Sequence, residues 1–464
     1  MSDAPYDLVV IGAGPAGEKA ATQAAYFGKR VAIVERRDTP GGIAVSDAGV
    51  PTKTLRETAQ YLTGFRQRDV YGVSLSLGAA GKLERLRSRV AGVKAVMTEA
   101  VRSNIERMRV ELHHGTARLA AGKRVIVSSA AGERELRAGV ILIATGSHPL
   151  HPPGIDFSDP GITDSEGILG IETLPGRLVV IGGGAVGCEY ASIFTALGVE
   201  VTLLEAMDRL LGFADGEIAA LLARAFGAEG MRVTLGACVD AITRTGRDLS
   251  VALRGGATLA ADRVLFAGGR AGNTEGLGLD EAGVRIDDKG RIVVDAHYRT
   301  SAEGIYAAGD VIGPPALASV SQEQGRVAAC HAFSIPFKHV VDPLAPFGVY
   351  AIPEVAMAGL TEEAARAAGI DCEVGRGLFA RNTRARIAGT TEGMVKLVFR
   401  RDDRTLLGVH ILGDIASELI HIGQLVASER RPIDYFIHAT FNVPTYSEAY
   451  KYAAYDGLQR LSRA

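Results

Sequence analysis

Two runs of glycine define the chemistry open to this chain. Gly12-Ala13-Gly14-Pro15-Ala16-Gly17 follows the apolar stretch Asp7 to Ile11, and Gly182-Gly183-Gly184-Ala185-Val186-Gly187 follows Arg177 to Ile181. In each, the first glycine permits a tight turn, the second lets backbone N–H groups approach a pyrophosphate, and the third lets a helix pack close to a strand. A helix-like stretch and a further strand come next in both, and those strands end on acids, Glu35 and Glu205. Gly12 to Glu35 and Gly182 to Glu205 are both 23 residues, the separation that places a carboxylate to accept hydrogen bonds from a ribose. A single glycine motif is weak; two copies in strand–turn–helix–strand context indicate two dinucleotide cradles.

The elements that carry these cradles must belong to several domains, because 464 residues suggest roughly three at the usual ~100–200 residues each. Hydrophobic residues make up 47%, charged residues 22% and the net charge is −2, which excludes a disordered, fibrous or strongly nucleic-acid-binding protein. The four cysteines, Cys188, Cys238, Cys330 and Cys372, lie far apart with no C-x-x-C pair, so a disulfide scaffold and the usual zinc spacings are excluded and a reducing compartment is indicated. Ten histidines contain no H-E-x-x-H or comparable spacing, and no metal is expected. His113-His114 read as strand, one facing core and one facing solvent. The N-terminus has no basic region ahead of its short apolar run, and no stretch approaches the roughly 18 apolar residues of a membrane span. A cytoplasmic protein with neither membrane nor nucleic acid as partner is expected. Leu83, Leu86, Val90, Val93, Met97, Val101, Ile105 and Met108 recur at helical steps and predict a long amphipathic helix whose stripe faces core. Cys188 reads as a small buried hydrophobe, and Gly146-Ser147 is not part of a G-x-S-x-G elbow.

Three further stretches join the two cradles: ILIATGSHP around Thr145 to Ser147, VLFAGGRAGNT around Gly268 to Thr274, and EGIYAAGDV ending in Gly309-Asp310-Val311. With these in order over essentially the whole length, the chain resembles the two-dinucleotide-binding-domain flavoproteins related to glutathione reductase and dihydrolipoamide dehydrogenase. The resemblance implies an α/β fold with two Rossmann-like dinucleotide-binding domains, one for FAD and one for NAD(P), and a C-terminal α+β dimerisation domain. The domains would be residues 1–149 (FAD, first part), 150–270 (NAD(P)), 271–341 (FAD and central, second part) and 342–464 (dimerisation), with a homodimer as the assembly. Cofactor-binding roles carry over to Gly12, Gly14, Pro15, Ala16, Gly17, Glu35, Arg36, Gly42, Lys53, Ala117, Thr145, Gly146, Ser147, Gly309, Asp310, Leu317 and Ala318. They carry over as well to Gly182, Gly184, Ala185, Val186, Gly187, Glu189, Glu205, Gly269 and Arg270. Asp310 would meet the flavin ribityl chain. Lys53 would sit by flavin N5, paired with Glu189, and these two are the catalytic candidates.

The chain departs from that family at its redox centre. Most relatives carry C-x-x-x-x-C before an I-P-S-K segment, whereas this chain has Ala44 and Gly49 at the two cysteine positions, followed by Val50-Pro51-Thr52-Lys53. Neither Ala44 nor Gly49 can act as a redox group, so thiol-disulfide chemistry is excluded. Where relatives place an acid–base histidine in H-P-T-x-x-E, this chain reads Val443-Pro444-Thr445-Tyr446-Ser447-Glu448. Glu448 is kept and the histidine is not; nearby His438 reads as structural.

Flavin and nicotinamide chemistry remain. The cysteine-free segment, the GRAGNT stretch, the DRLLGFAD segment at Asp208 to Asp215 and GVHILGDIASELIHIGQ resemble most the soluble, energy-independent pyridine nucleotide transhydrogenases. That resemblance implies a ping-pong hydride transfer between NAD(H) and NADP(H) through FAD. Glu205 suits a bare ribose hydroxyl and repels a 2′-phosphate. NADP-selective relatives carry arginines at positions matching Ala206 and Gly212, leaving Arg209 as the one candidate to reach the phosphate. FAD and NAD(H) are thus the expected cofactors, with NADP(H) left open. Two alternatives stand beside this reading: an NADH-preferring flavin reductase or oxidase passing electrons to a quinone, another small acceptor or oxygen, and a non-catalytic flavin- or nucleotide-binding protein.

Overall fold

The computed structural model describes residues 5–64, 72 and 78–462. The remaining positions, 1–4, 65–71, 73–77 and 463–464, fall within the expected 1–149 and 342–464 ranges and lie outside the described residues. The chain forms two compact units: one of residues 1–52, 88–150 and 269–342, the other of residues 53–87, 151–268 and 343–464.

In the first unit, parallel strands run in the order Glu111–His114, Val31–Glu35, Tyr6–Ile11 and the second half of Gly132–Ile143, with Ile305–Ala307 pairing parallel to that last strand. The strands Tyr6–Ile11 and Val31–Glu35 are buried almost throughout, as a parallel sheet covered on both faces requires. Chain order reverses beside Tyr6–Ile11, and such a switch point is where open α/β sheets bind ligands. The first half of Gly132–Ile143 pairs antiparallel with Arg124–Ser129, which pairs with Thr116–Ala120.

The second unit repeats this plan. Arg232–Leu235, Glu200–Glu205, Arg177–Ile181, Arg263–Phe266 and Ile162–Thr163 form a parallel sheet, beside an antiparallel trio of Val239–Thr245, Asp248–Leu253 and Thr258–Ala261. The same unit holds a five-stranded antiparallel sheet, in the order Phe347–Val349, Glu354–Gly359, Leu406–Gly413, Met394–Arg400 and Cys372–Leu378, covered by the helices Ala416–Ser428 and Glu448–Leu461.

The long helix forms over Ala79–Arg107, but its stripe is core only in part. Leu83, Leu86 and Ile105 are buried, Val90, Val93 and Val101 are half-buried, and Met97 is 37% exposed. The helix runs about 43 Å at 1.5 Å per residue. Among the described residues, no helix is long and apolar enough to cross a membrane.

Candidate functional site

The two glycine turns are built alike, atom for atom. Gly12 N–H donates to Val34 O at 2.8 Å and Gly182 N–H to Leu204 O at 2.8 Å, turning each chain off its strand beside the neighbouring strand. Both glycines have φ beyond +100°, and a Cβ would strike the carbonyl of the next strand, overlapping Ala144 O in one case and standing 2.6 Å from Ala267 O in the other. Gly17 and Gly187 pack onto the carbonyls of Gly12 and Gly182, leaving no room for a side chain. By contrast, a Cβ on Gly184 would meet no protein atom within 4 Å, and one on Gly14 only Gly42 Cα at 3.9 Å. The middle glycines therefore leave open the face that a pyrophosphate needs, in front of the helices Pro15–Tyr26 and Ala185–Ala196.

The two acids are also equivalent. Glu35 accepts from Ala13 N–H (2.7 Å) and Arg37 N–H (2.9 Å); Glu205 accepts from Gly183 N–H (2.5 Å) and Met207 N–H (2.8 Å). Each carboxylate thus ties its own glycine turn to the end of its own strand, and each oxygen keeps a lone pair for a ribose hydroxyl. Pro15 and Ala16 open the first helix, Ala185 and Val186 the second, and Gly187 and Glu189 lie within the second. Arg36 is exposed. Gly42 lies against the first turn, where a Cβ would stand 2.8 Å from Gly14 Cα. Ala117 is buried two residues beyond Gly115, whose N–H donates to Glu35 O.

The later stretches converge on the first cradle. Gly309 N–H donates to Gln324 Oε1 at 2.8 Å, and a Cβ on Gly309 would lie 3.1 Å from that of Ala16. Asp310 Oδ2 accepts from Ser147 Oγ at 2.7 Å, and Arg270 donates to the same Ser147, from Nε to Oγ at 2.9 Å and from Nη2 to the carbonyl at 3.0 Å. Gly269 precedes that arginine, with φ +135°. Thr145 and Asn273 exchange two bonds of 2.7 Å across Gly146. Leu317 and Ala318 start the helix that carries Gln324. Asn273 and Gln324 had no motif to single them out; only folding brings them to Thr145 and Gly309.

In the second unit, Lys53 Nζ donates to both Glu189 oxygens, at 3.0 and 2.9 Å. Glu189 is buried, and Tyr350 N–H gives its Oε1 a further bond at 2.9 Å while the Tyr350 ring lies 4.8 Å from Lys53 Nζ. Burial pushes the Tyr350 hydroxyl up. The family resemblance pairs the lysine and glutamate but gives no sign of Tyr350, which arrives from nearly 300 residues beyond Lys53 in the chain.

No thiol stands in either place. Ala44 and Gly49 have closed on one another: a Cβ on Gly49 would overlap Ala44 O and stand 3.0 Å from Ala44 Cα. Cys188 is fully buried, and desolvation drives its thiol far above the ordinary range, so it is inert. Val443 is 63% exposed, Glu448 begins the helix Glu448–Leu461, and Asn382 Nδ2 holds Thr445 O at 2.9 Å. His438 is exposed at the end of a five-residue helix, contrary to a structural role. His113 is half-buried beside Tyr6 and His114 exposed. Arg209 faces Glu363, at 3.5 Å.

The chain is 41% identical over 460 residues to the soluble pyridine nucleotide transhydrogenase of Mycobacterium tuberculosis, covering 98% of each chain. It is 38% identical to the enzyme of that name from Hahella chejuensis, covering 99% of this chain and 100% of the other. Among solved structures it is similar to LpdA from Mycobacterium tuberculosis (TM-score 0.89, 29% identity, 97% and 99% of the two chains). It is equally similar to the HOCl-induced flavoprotein disulfide reductase RclA from Escherichia coli (TM-score 0.87, 29% identity, 97% and 99%). A family model described as pyridine nucleotide-disulphide oxidoreductase matches residues 6–325, and one for the dimerisation domain of that family matches residues 345–454. With two matching cradles, a paired lysine and glutamate and both models matched in order, the chain belongs to the pyridine nucleotide-disulphide oxidoreductase family, as a member without the family's cysteine pair.

Proposed function

We propose that this protein is an FAD-dependent oxidoreductase that moves hydride between NAD(H) and NADP(H), in the manner that the name of its transhydrogenase relatives describes. The observation that carries this reading is the closed Ala44–Gly49 segment, which leaves a hydride taken from one nucleotide no thiol to go to. Residues 1–149 and 271–341 would hold FAD, 150–270 the nicotinamide nucleotide, and 342–464 would form the contact of a cytoplasmic homodimer.

FAD supplies the two-electron carrier when bound. The first cradle fits it: Gly14 leaves the pyrophosphate face open, Glu35 has acceptor capacity for a ribose, and Asp310 is oriented by Ser147 for a ribityl hydroxyl. Gly184 and Glu205 offer the same to the nicotinamide nucleotide. Lys53, held at both carboxylate oxygens by Glu189, presents a fixed cation that favours negative charge developing beside it, and its orientation costs nothing at the moment of transfer. Because one site serves donor and acceptor in turn, the first nucleotide has to leave before the second enters.

Glu205 favours a second reading, an NADH-specific reductase, because a carboxylate in its role at the ribose would repel a 2′-phosphate. One assay separates the two. NADPH is expected to reduce thio-NAD under anaerobic conditions; rapid bleaching of the flavin by NADH with no reduction of thio-NAD by NADPH would leave the NADH-specific reading.

A further inference from the structure

NADH and NADPH differ only at the ribose 2′ position, a hydroxyl in one and a phosphate in the other. Glu205 ends the strand at that side of the second cradle, and the loop after it, residues 206–213, contains a single cation, Arg209. The backbone of this loop is held at both ends. Close to the cradle, Met207 N–H donates to Glu205 Oε1 at 2.8 Å, Leu211 N–H donates to Gly183 O at 2.9 Å, and the Leu210 side chain fills the space beside Gly183. At the far end, Asp215 is fully buried, caps the helix Gly216–Ala228 and accepts from Lys396 Nζ at 2.9 Å. What is free to vary is the direction of the Arg209 side chain.

That direction is set from outside the nucleotide-binding sheet. Glu363, the second residue of the helix Glu362–Ala367, accepts from Gly216 N–H at 2.9 Å with Oε1, and the same oxygen is 3.5 Å from Arg209 Nη1. Its neighbour Glu362 fixes this helix by accepting from Lys396 Nζ at 2.8 Å. The Arg209–Glu363 pair is long and its side chains are 38% and 49% exposed, so it biases the direction of Arg209 by only a small free energy. Glu363 is the carboxylate that meets the single guanidinium of residues 206–213.

We propose that Glu363 is a positioning residue for nucleotide choice: by holding Arg209 at the start of the helix Gly216–Ala228, it withholds from a 2′-phosphate the one cation the loop contains. The inference rests on the second cradle taking nicotinamide nucleotides. Glu363→Gln keeps an oxygen for Gly216 N–H and removes the charge, so Arg209 is released without loss of the helix contact. The test is calorimetric titration of the holoprotein with 2′,5′-ADP and 5′-AMP, which differ only in the 2′-phosphate. Glu363→Gln should tighten 2′,5′-ADP about three- to tenfold, leave 5′-AMP unchanged, and lose most of the gain as salt approaches ~0.5 M. Glu363→Asp should retain the original ratio, and the double variant Glu363→Gln/Arg209→Ala should show no gain. An unchanged ratio in Glu363→Gln, or a gain that persists without Arg209, overturns the proposal. Binding of these probes does not depend on hydride transfer, so a normal Glu363→Gln gain beside absent thio-NAD reduction would strike the transhydrogenase reading alone. Failure of 5′-AMP to bind any variant would overturn the nucleotide assignment and this proposal with it.

Discussion

At the scale of single residues, the chemistry is decided by side chains that are absent. A disulfide needs its two Cβ atoms roughly 3.5–4.5 Å apart with a fixed torsion between them. Here the carbonyl of Ala44 occupies the space that a side chain at position 49 would use, so that a Cβ there overlaps it. Restoring the residue types is therefore not enough to restore the redox centre. The double variant Ala44→Cys/Gly49→Cys is expected to take up the same two electrons per flavin as the unmodified protein in an anaerobic dithionite titration. An uptake of four would show that the segment still accommodates a working pair. Lys53 and Glu189 were legible through the family resemblance of the segments that carry them; Tyr350, which completes the surroundings of that pair, was not, because its local sequence has no feature that marks it.

At the scale of elements, the molecule uses one device twice. Strand, glycine turn, helix and acid recur with the same offsets and the same pair of backbone bonds to the acid. Duplication makes the two cradles separable by mutation. Gly12→Ala and Gly182→Ala each place a methyl against a backbone carbonyl at a strongly positive φ, a strain of about 1–3 kcal/mol, or roughly 5- to 150-fold in affinity. Gly12→Ala should lower the flavin content of the purified protein. Gly182→Ala should leave the protein yellow while raising the NADH concentration needed to bleach it. Equal loss of flavin in both variants, read from the visible absorption per chain, would contradict the assignment of the two cradles. Periodicity also gave the long helix Ala79–Arg107, but not how much of its stripe is covered, since that depends on surfaces supplied by distant segments.

At the scale of the whole molecule, the second unit is held together by charge as well as by apolar packing. Lys396, on the C-terminal antiparallel sheet, is 2% exposed and contacts Asp215 at 2.9 Å, Glu217 at 3.1 Å and Glu362 at 2.8 Å. Arg376 adds a contact to Glu217 at 2.7 Å. Burial by itself would raise the three carboxyls, but the neighbouring groups outweigh it: Lys396 and the Glu362 N–H for Asp215, Arg376 and Lys396 for Glu217, Lys396 and Arg366 for Glu362. All three are held below their ordinary values. The sign follows: their stabilisation is fully present above the unfolded carboxyl range of about pH 4 and is lost as pH falls through the lower folded values. Lys396→Met removes one partner of a buried network and should cost about 3–5 kcal/mol at pH 7. In thermal unfolding across pH, the gap between the variant and the unmodified protein should narrow below about pH 4. A gap independent of pH would mean that Lys396 acts through packing alone.

The sequence by itself determined the two cradles, their acids, the family and the loss of the thiol centre. Those features are encoded in residue type at fixed short spacing, where backbone conformation follows locally from glycine, strand and helix preference. Tertiary structure alone decided that Arg270 bonds Ser147 beside Asp310, that Tyr350 encloses the Lys53–Glu189 pair, and that Arg209 turns to Glu363. The partners in each case come from segments far apart in the chain. No local pattern records such a contact, because its energy exists only once packing has brought both sides together.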